Sequence, residues 1–187
     1  MGEASVGKTS ILDRWLHDSF SKNTAPTIGA GMSPVQIPVD GVNYSFHVWD
    51  TAGTPQFRSV VPMYCRKAVI ALIVFDITNK ASFDTISEWY HFVKENANPI
   101  FILIGNKIDQ SDLRQVQRFE AEQLADDLLK CQYVEVSALT SEGISLFSQL
   151  VVEAATQSIQ SSNLLVSNSN NDSLKYQQSS DSNGGCC

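Results

Sequence analysis

Gly2-Glu3-Ala4-Ser5-Val6-Gly7-Lys8-Thr9 opens a chain of 187 residues and fits the pattern G-x-x-x-x-G-K-[ST]. In that pattern a glycine-bearing turn leads into a helix, and its unpaired N–H groups converge on an anion, the arrangement that wraps nucleotide phosphates. Lys8 would neutralise β and γ phosphate oxygens, and the Thr9 hydroxyl would ligate Mg2+. A glycine-rich turn before an ordinary helix is the plainer reading of this stretch taken alone. The motifs further along the chain decide between the two.

Val35, Ile37 and Val39 alternate with Gln36, Pro38 and Asp40, and Val42, Tyr44, Phe46 and Val48 alternate in turn. With Asp40-Gly41 between them these runs predict a β-hairpin, and Pro38 confines the first strand to a sheet edge. Val69–Phe75, Ile100–Ile104 and Tyr133–Val136 are near-continuous apolar runs, the mark of parallel strands covered on both faces. Helical patterns lie between and after them over 82–96, 116–130 and 141–157. Alternation of strand and helix predicts an α/β fold of the doubly wound kind, with ligands at the carboxyl ends of the strands.

Chemistry-bearing residues fall at those ends. Asp50-Thr51-Ala52-Gly53 follows the strand ending at Trp49, Asn106-Lys107-Ile108-Asp109 follows the Ile100 run, and Ser137-Ala138-Leu139 follows the last strand. Asp50 would hold Mg2+ through water, and the Gly53 N–H would meet a γ-phosphate. A carboxylate such as Asp109 that accepts from two N–H groups of one base reads guanine, because adenine offers no such pair. Asn, Asp and Ser at single strand ends more often serve as caps and turns. Several such stretches in order, behind a phosphate-binding loop, point to a guanine-nucleotide site.

Over residues 2 to about 156 the chain resembles the Ras superfamily of small GTPases, and within it the Rab branch. The resemblance implies a nucleotide-binding G domain: a mostly parallel sheet with one antiparallel edge strand, helices on both faces, and GTP/GDP with Mg2+ as ligands. Carried over by residue, Gly2, Glu3, Ala4, Ser5, Val6, Gly7, Lys8, Thr9 and Ser10 bind phosphate, and Phe20 flanks the guanine. Thr27 joins Thr9 and Asp50 at Mg2+ in the GTP state. Asn106 and Asp109 read the base, Lys107 packs over sugar and base, and Ser137, Ala138 and Leu139 form the third guanine motif, Ala138 donating to O6. Thr27–Met32, Trp49 and Tyr64 match the switch surfaces that effectors contact. The implied activity is GTP hydrolysis to GDP, with Lys8, Gly53 and position 54 in catalytic roles, by a switch regulating vesicle traffic. The implied partners are an exchange factor, an activating protein, effectors, a prenylation escort and a dissociation inhibitor, around a monomer.

Several positions depart from the family pattern. Thr54, followed by Pro55, stands where relatives carry the Gln that orients the attacking water. Its single short hydroxyl predicts slow intrinsic hydrolysis, and Gln56 beyond a rigid Pro55 is no substitute. The alternative is a GTP-locked or nucleotide-free pseudo-GTPase acting as a binding module; an ATPase or kinase is opposed by Asn106–Asp109. Met32 replaces an aromatic ring of the effector surface, and Leu139 replaces a Lys. Ser5 would be strained by a positive φ. Only Met1 precedes Gly2, so the central strand that feeds such a loop is missing, which predicts unpaired groups on its neighbours and a truncated chain start.

Composition sets the remaining bounds. Lys+Arg 13 against Asp+Glu 20 gives a charge of −7, which leaves no basic stripe for nucleic acid. No apolar run approaches the roughly 20 residues of a membrane span. After Gln157 the chain turns rich in Ser, Asn and Gln, and Asp172, Lys175 and Asp181 are its only charged side chains. That composition predicts a G domain over 1–156 and a disordered tail over 157–187. The closing Gly184-Gly185-Cys186-Cys187 resembles a Rab ending that receives two geranylgeranyl groups on Cys186 and Cys187, which two-signal anchoring requires. The implied location is the cytoplasmic face of intracellular membranes, in exchange with the cytosol. His17, His47 and His91 share no spacing and are left out of the site.

Overall fold

Three apolar runs become three parallel strands. In a computed structural model, which describes residues 1–54 and 61–178 and side chains as far as 161, β3 (Ile70–Asp76), β4 (Ile100–Asn106) and β5 (Gln132–Val136) form one sheet in that order. All of β4 from Phe101 onward is buried, which is why its sequence does not alternate. The predicted hairpin is present as β1 (Ala30–Val39) and β2 (Val42–Thr51), antiparallel from Ala30 opposite Thr51 to Val39 opposite Val42. Asp40 and Gly41 both turn through positive φ, the geometry a two-residue hairpin loop needs. β1, carrying Pro34 and Pro38, pairs with β2 alone and is an edge as predicted.

Helices cover both faces of the parallel sheet. On one side α3 (Lys80–Asp84), α4 (Ile86–Lys94) and α5 (Arg118–Leu124) pack against β3 and β4 around Phe75, Trp89 and Leu103. On the other, α1 (Lys8–His17) and α6 (Ile144–Gln178) enclose Ile104, Val134 and Phe147. α6 buries Phe147, Leu150, Val151, Ala154 and Ala155, an i, i+3, i+4, i+7, i+8 stripe. Each large apolar side chain buried this way contributes about 1.5–3 kcal/mol. A short α2 (Val61–Cys65) precedes β3.

The helix expected over 82–96 is instead two helices. Asn79 caps the first by accepting from the Ala81 N–H, and Thr85 (φ −84°, ψ −5°) returns its hydroxyl to the Ser82 carbonyl and breaks the run. The helix expected over 116–130 starts at Arg118 and widens into a π turn, Ala125–Leu129. α6 does not end at Gln157, so the region expected as a disordered tail continues as helix as far as Gln178. Gln is a good helix residue, and Ser and Asn are poorer but permitted; composition judged the lack of a buried stripe, whereas the backbone ladder propagates from the packed first half of the helix. Residues 179–187, with Cys186 and Cys187, lie outside the described residues, as do Pro55 and Gln56.

The expected single sheet is two. β2 and β3 do not pair, and between them the Met1 nitrogen donates to the Leu72 carbonyl (2.6 Å) while the Val74 N–H donates to Met1 O (2.8 Å). These two bonds set Met1 parallel to β3 opposite Ile73. The rest of the gap is a cavity of about 450 Å³, lined by Phe46 and Val48 of β2, Ile70 and Leu72 of β3, Ile11 of α1 and Phe147 of α6.

Candidate functional site

Strand register assembles the site. Asp76, Asn106 and Val136 stand side by side at the carboxyl ends of β3, β4 and β5, so the segments after them meet at one edge of the sheet. The loop before α1 enters that edge. Gly7 sits at φ 95° with its α-carbon against the Asn106 amide, where any Cβ would overlap the amide nitrogen. Ser5 takes φ 65°, the strained conformation foreseen for it. Ser5→Gly is expected to raise stability by about 0.5–1 kcal/mol, the left-handed penalty less the entropy glycine adds to the unfolded chain. A urea midpoint that falls instead would show that the serine side chain does something the strain does not reveal.

Lys8 folds back over the loop: its Nζ donates to the carbonyls of Gly2 (2.9 Å) and Glu3 (2.7 Å). Burial pushes its pKa down to about 8, against the pull of Asp50 and Glu3. Beside it the three predicted metal-binding residues converge. Thr9 Oγ1 donates to Asp50 Oδ2 (2.6 Å), lies 3.0 Å from Thr27 Oγ1, and Thr27 Oγ1 donates to the same carboxylate oxygen at 3.3 Å. Three hard oxygen donors, one of them charged, are the chemistry that suits Mg2+. Gly53 presses on the loop from the far side, where a Cβ would overlap the Ala4 nitrogen and the Glu3 carbonyl.

A cavity of about 490 Å³ runs from this cluster to the base-reading segments, with Lys8, Thr9, Ser10 and Thr27 at one end and Phe20, Asp109 and Leu139 at the other. Gly53 and Thr54 border it, and the Thr54 hydroxyl is enclosed without a hydrogen-bond partner among the described residues. Asn106 is buried and ties the two ends together: Nδ2 donates to the Val6 carbonyl (2.8 Å), and Oδ1 accepts from the Ala138 N–H (3.3 Å). Ser137 is fully buried and donates to Asp109 Oδ1 (2.5 Å), fixing the carboxylate that faces the cavity.

Not every predicted phosphate-binding residue lines the cavity. Gly2 packs under the Val74 carbonyl, Val6 is in the core, and the Glu3 carboxylate meets the Trp89 indole N–H at 3.2 Å, on the side away from the cavity. Sequence reading also missed two charged side chains. Asp76 holds Lys107 Nζ at 2.6 Å while accepting from the Thr78 N–H and hydroxyl, and Arg14 reaches from α1 to the Ala138 and Leu139 carbonyls. In both cases the partners lie on separate elements far apart in the chain, so local patterns carry no signal for them. At the switch surface Met32 lies opposite Trp49, and the Trp49 ring rests 4.6 Å from that of Tyr64, both Met32 and Trp49 being largely exposed.

A profile described as Ras family matches residues 1–157. Ras-related protein Rab-31 of Rattus norvegicus is 39% identical over 130 residues, 68% of this chain and 67% of its own length. Rab-22A of Mus musculus is 36% identical over 147 residues, covering 78% and 75%, and the GTP-binding protein ypt2 of Schizosaccharomyces pombe is 36% identical over 174, covering 91% and 86%. The chain is a Rab-type member of the Ras family. Rab-type GTPases are GTP-binding switches of vesicle traffic, and the family binds guanine nucleotide with Mg2+. In this Rab-type chain no described helix is long and apolar enough to cross a membrane.

Proposed function

We propose that this chain binds GTP and GDP with Mg2+ and works as a slowly hydrolysing Rab-type switch. The observation that carries the reading is the convergence of Thr9, Thr27 and Asp50 beside Lys8 at one end of a cavity whose other end holds Phe20, Asp109 and Leu139. Backbone N–H groups of Ala4, Ser5 and residues 7–10, which line the cavity, receive the phosphates, and Lys8 exchanges its two carbonyl partners for β and γ oxygens. Thr9, Asp50 and, in the GTP state, Thr27 hold Mg2+, which neutralises phosphate charge when bound. Asp109 accepts from the two N–H groups of guanine, Asn106 braces the pocket from beneath, the Ala138 N–H turns to O6, and Phe20 and Lys107 pack against the base. Gly53 donates to the γ-phosphate, so its close seat on the phosphate loop couples nucleotide state to the switch surface around Met32, Trp49 and Tyr64.

Hydrolysis is slow in this reading because Thr54 offers one hydroxyl where a Gln amide would both accept from water and donate to the phosphoryl group. Thr54→Gln is expected to raise the single-turnover rate at least about tenfold. A wild-type rate equal to that of the variant would end the slow-hydrolysis reading. The nucleotide retained through purification tests the wider proposal: GDP marks a working switch, GTP a locked one, and neither would reduce the chain to a scaffold.

Residues 157–187 act as the tether in this proposal, with Cys186 and Cys187 carrying two geranylgeranyl groups. The two lipids hold the protein on the cytoplasmic face of intracellular membranes. An escort and a dissociation inhibitor handle those lipids, an exchange factor and an activating protein set the nucleotide state, and effectors read the GTP form of the monomer.

A further inference from the structure

Arg14 stands on the last turn of α1, a helix whose first turn carries Lys8 and Thr9, yet its guanidinium is spent at the opposite end of the site. Nε donates to the Ala138 carbonyl at 2.9 Å and Nη2 to the Leu139 carbonyl at 3.3 Å. Nη1 donates to the Asp18 carbonyl at 2.9 Å and to its carboxylate at 2.8 Å. Asp18 ends α1 in the left-handed conformation, shortly before Phe20, which lines the base end of the cavity. One planar fork thus spans both walls of the base pocket, the Phe20 wall through Asp18 and the Ala138–Leu139 wall through two carbonyls.

Ala138 is consequently held on both sides. Its N–H reaches Asn106 Oδ1 at 3.3 Å, a long bond that leaves the hydrogen available to a better acceptor, and its C=O is fixed by Arg14. The peptide plane carrying that N–H sits in a loop with no strand or helix of its own between β5 and α6. Resting on the guanine-nucleotide reading above, we propose that Arg14 is a positioning residue for base identity: it fixes Ala138 so that its N–H meets the 6-oxygen of the purine. Lysine keeps the charge and stem but cannot reach two carbonyls and Asp18 in one plane.

The test compares two ratios in the full chain, so any general loss of folding or phosphate binding cancels. The first is the affinity for GTP over 6-thio-GTP, which keeps both N–H groups that face Asp109 and weakens the acceptor at position 6. The second is GTP over ITP, which keeps the 6-oxygen and drops the 2-amino group. For Arg14→Lys the first ratio is expected to fall about tenfold toward one, while the second stays as in wild type. Equal losses for all three nucleotides, or no loss for any, would overturn the proposal. If the wild type itself does not prefer GTP over ATP, the guanine reading fails first and takes this inference with it.

Discussion

Lys8→Met is expected to lower the affinity for GTP and GDP about a thousandfold, a loss to be read by displacement of a fluorescent nucleotide. The Lys8 ammonium already makes two charge-assisted bonds, to the Gly2 and Glu3 carbonyls, and a bound nucleotide offers anionic oxygens in their place. Each such bond to a charged partner is worth about 1.5–3 kcal/mol, so losing two costs about 3–6 kcal/mol, or roughly 10² to 10⁴ in affinity. The same lysine gives binding a pH dependence of definite sign. Its pKa is pushed down to about 8 in the free protein because burial penalises the charge. A phosphate favours the protonated form, so binding above pH 8 takes up a proton. Affinity measured in EDTA is therefore flat below about pH 8 and falls up to about tenfold per pH unit above it. Lys8→Met is expected to lose both the affinity and the slope. A variant that keeps the wild-type affinity would mean that backbone N–H groups alone hold the phosphates.

Gly53→Ala is expected to destabilise the chain by about 3 kcal/mol, a fall of about 10 °C in Tm. The new methyl has no soft neighbour to displace: it overlaps the Ala4 nitrogen and the Glu3 carbonyl, both backbone atoms of the phosphate loop. Either the loop or the end of β2 must retreat, and Asp50 at that end would lose its 2.6 Å contact with Thr9. Nucleotide affinity should therefore fall alongside stability, with GTP losing more than GDP if Gly53 meets the γ-phosphate as proposed. An unchanged Tm would show that the loop yields easily, and the coupling between loop and switch surface would then need another route.

Legibility in the sequence followed the range of the forces involved. The strands were readable because a strand buried on both faces needs few polar positions, as Phe101–Asn106 shows, and the hairpin was readable because Asp40-Gly41 suits its turn. Helix ends were not: Thr85 breaks one helix by a side-chain bond to Ser82, and α6 carries on past the composition change at Gln157. Phe20, Thr27 and Asp109 all line one cavity, and each could be singled out beforehand because its motif sits at a strand end or resembles the family's. Glu3 turned away because Trp89, far along the chain on α4, supplies an indole donor that no local pattern announces.

By itself the sequence determined the α/β class, the order of the strands, and the segments that surround the cavity at their carboxyl ends. Those properties rest on periodicity and on motifs whose partners are close neighbours in the chain. Tertiary structure alone decided how the site is braced. Asn106 joins Val6 to Ala138, Asp76 holds Lys107, and Arg14 clamps the base loop, each linking elements well separated along the chain. It also decided that the sheet stands in two parts, with Met1 bonded through its backbone to β3 in the gap between them. Hydrogen bonds and burial act over a few ångströms in space, and only the folded chain brings such distant residues within that reach.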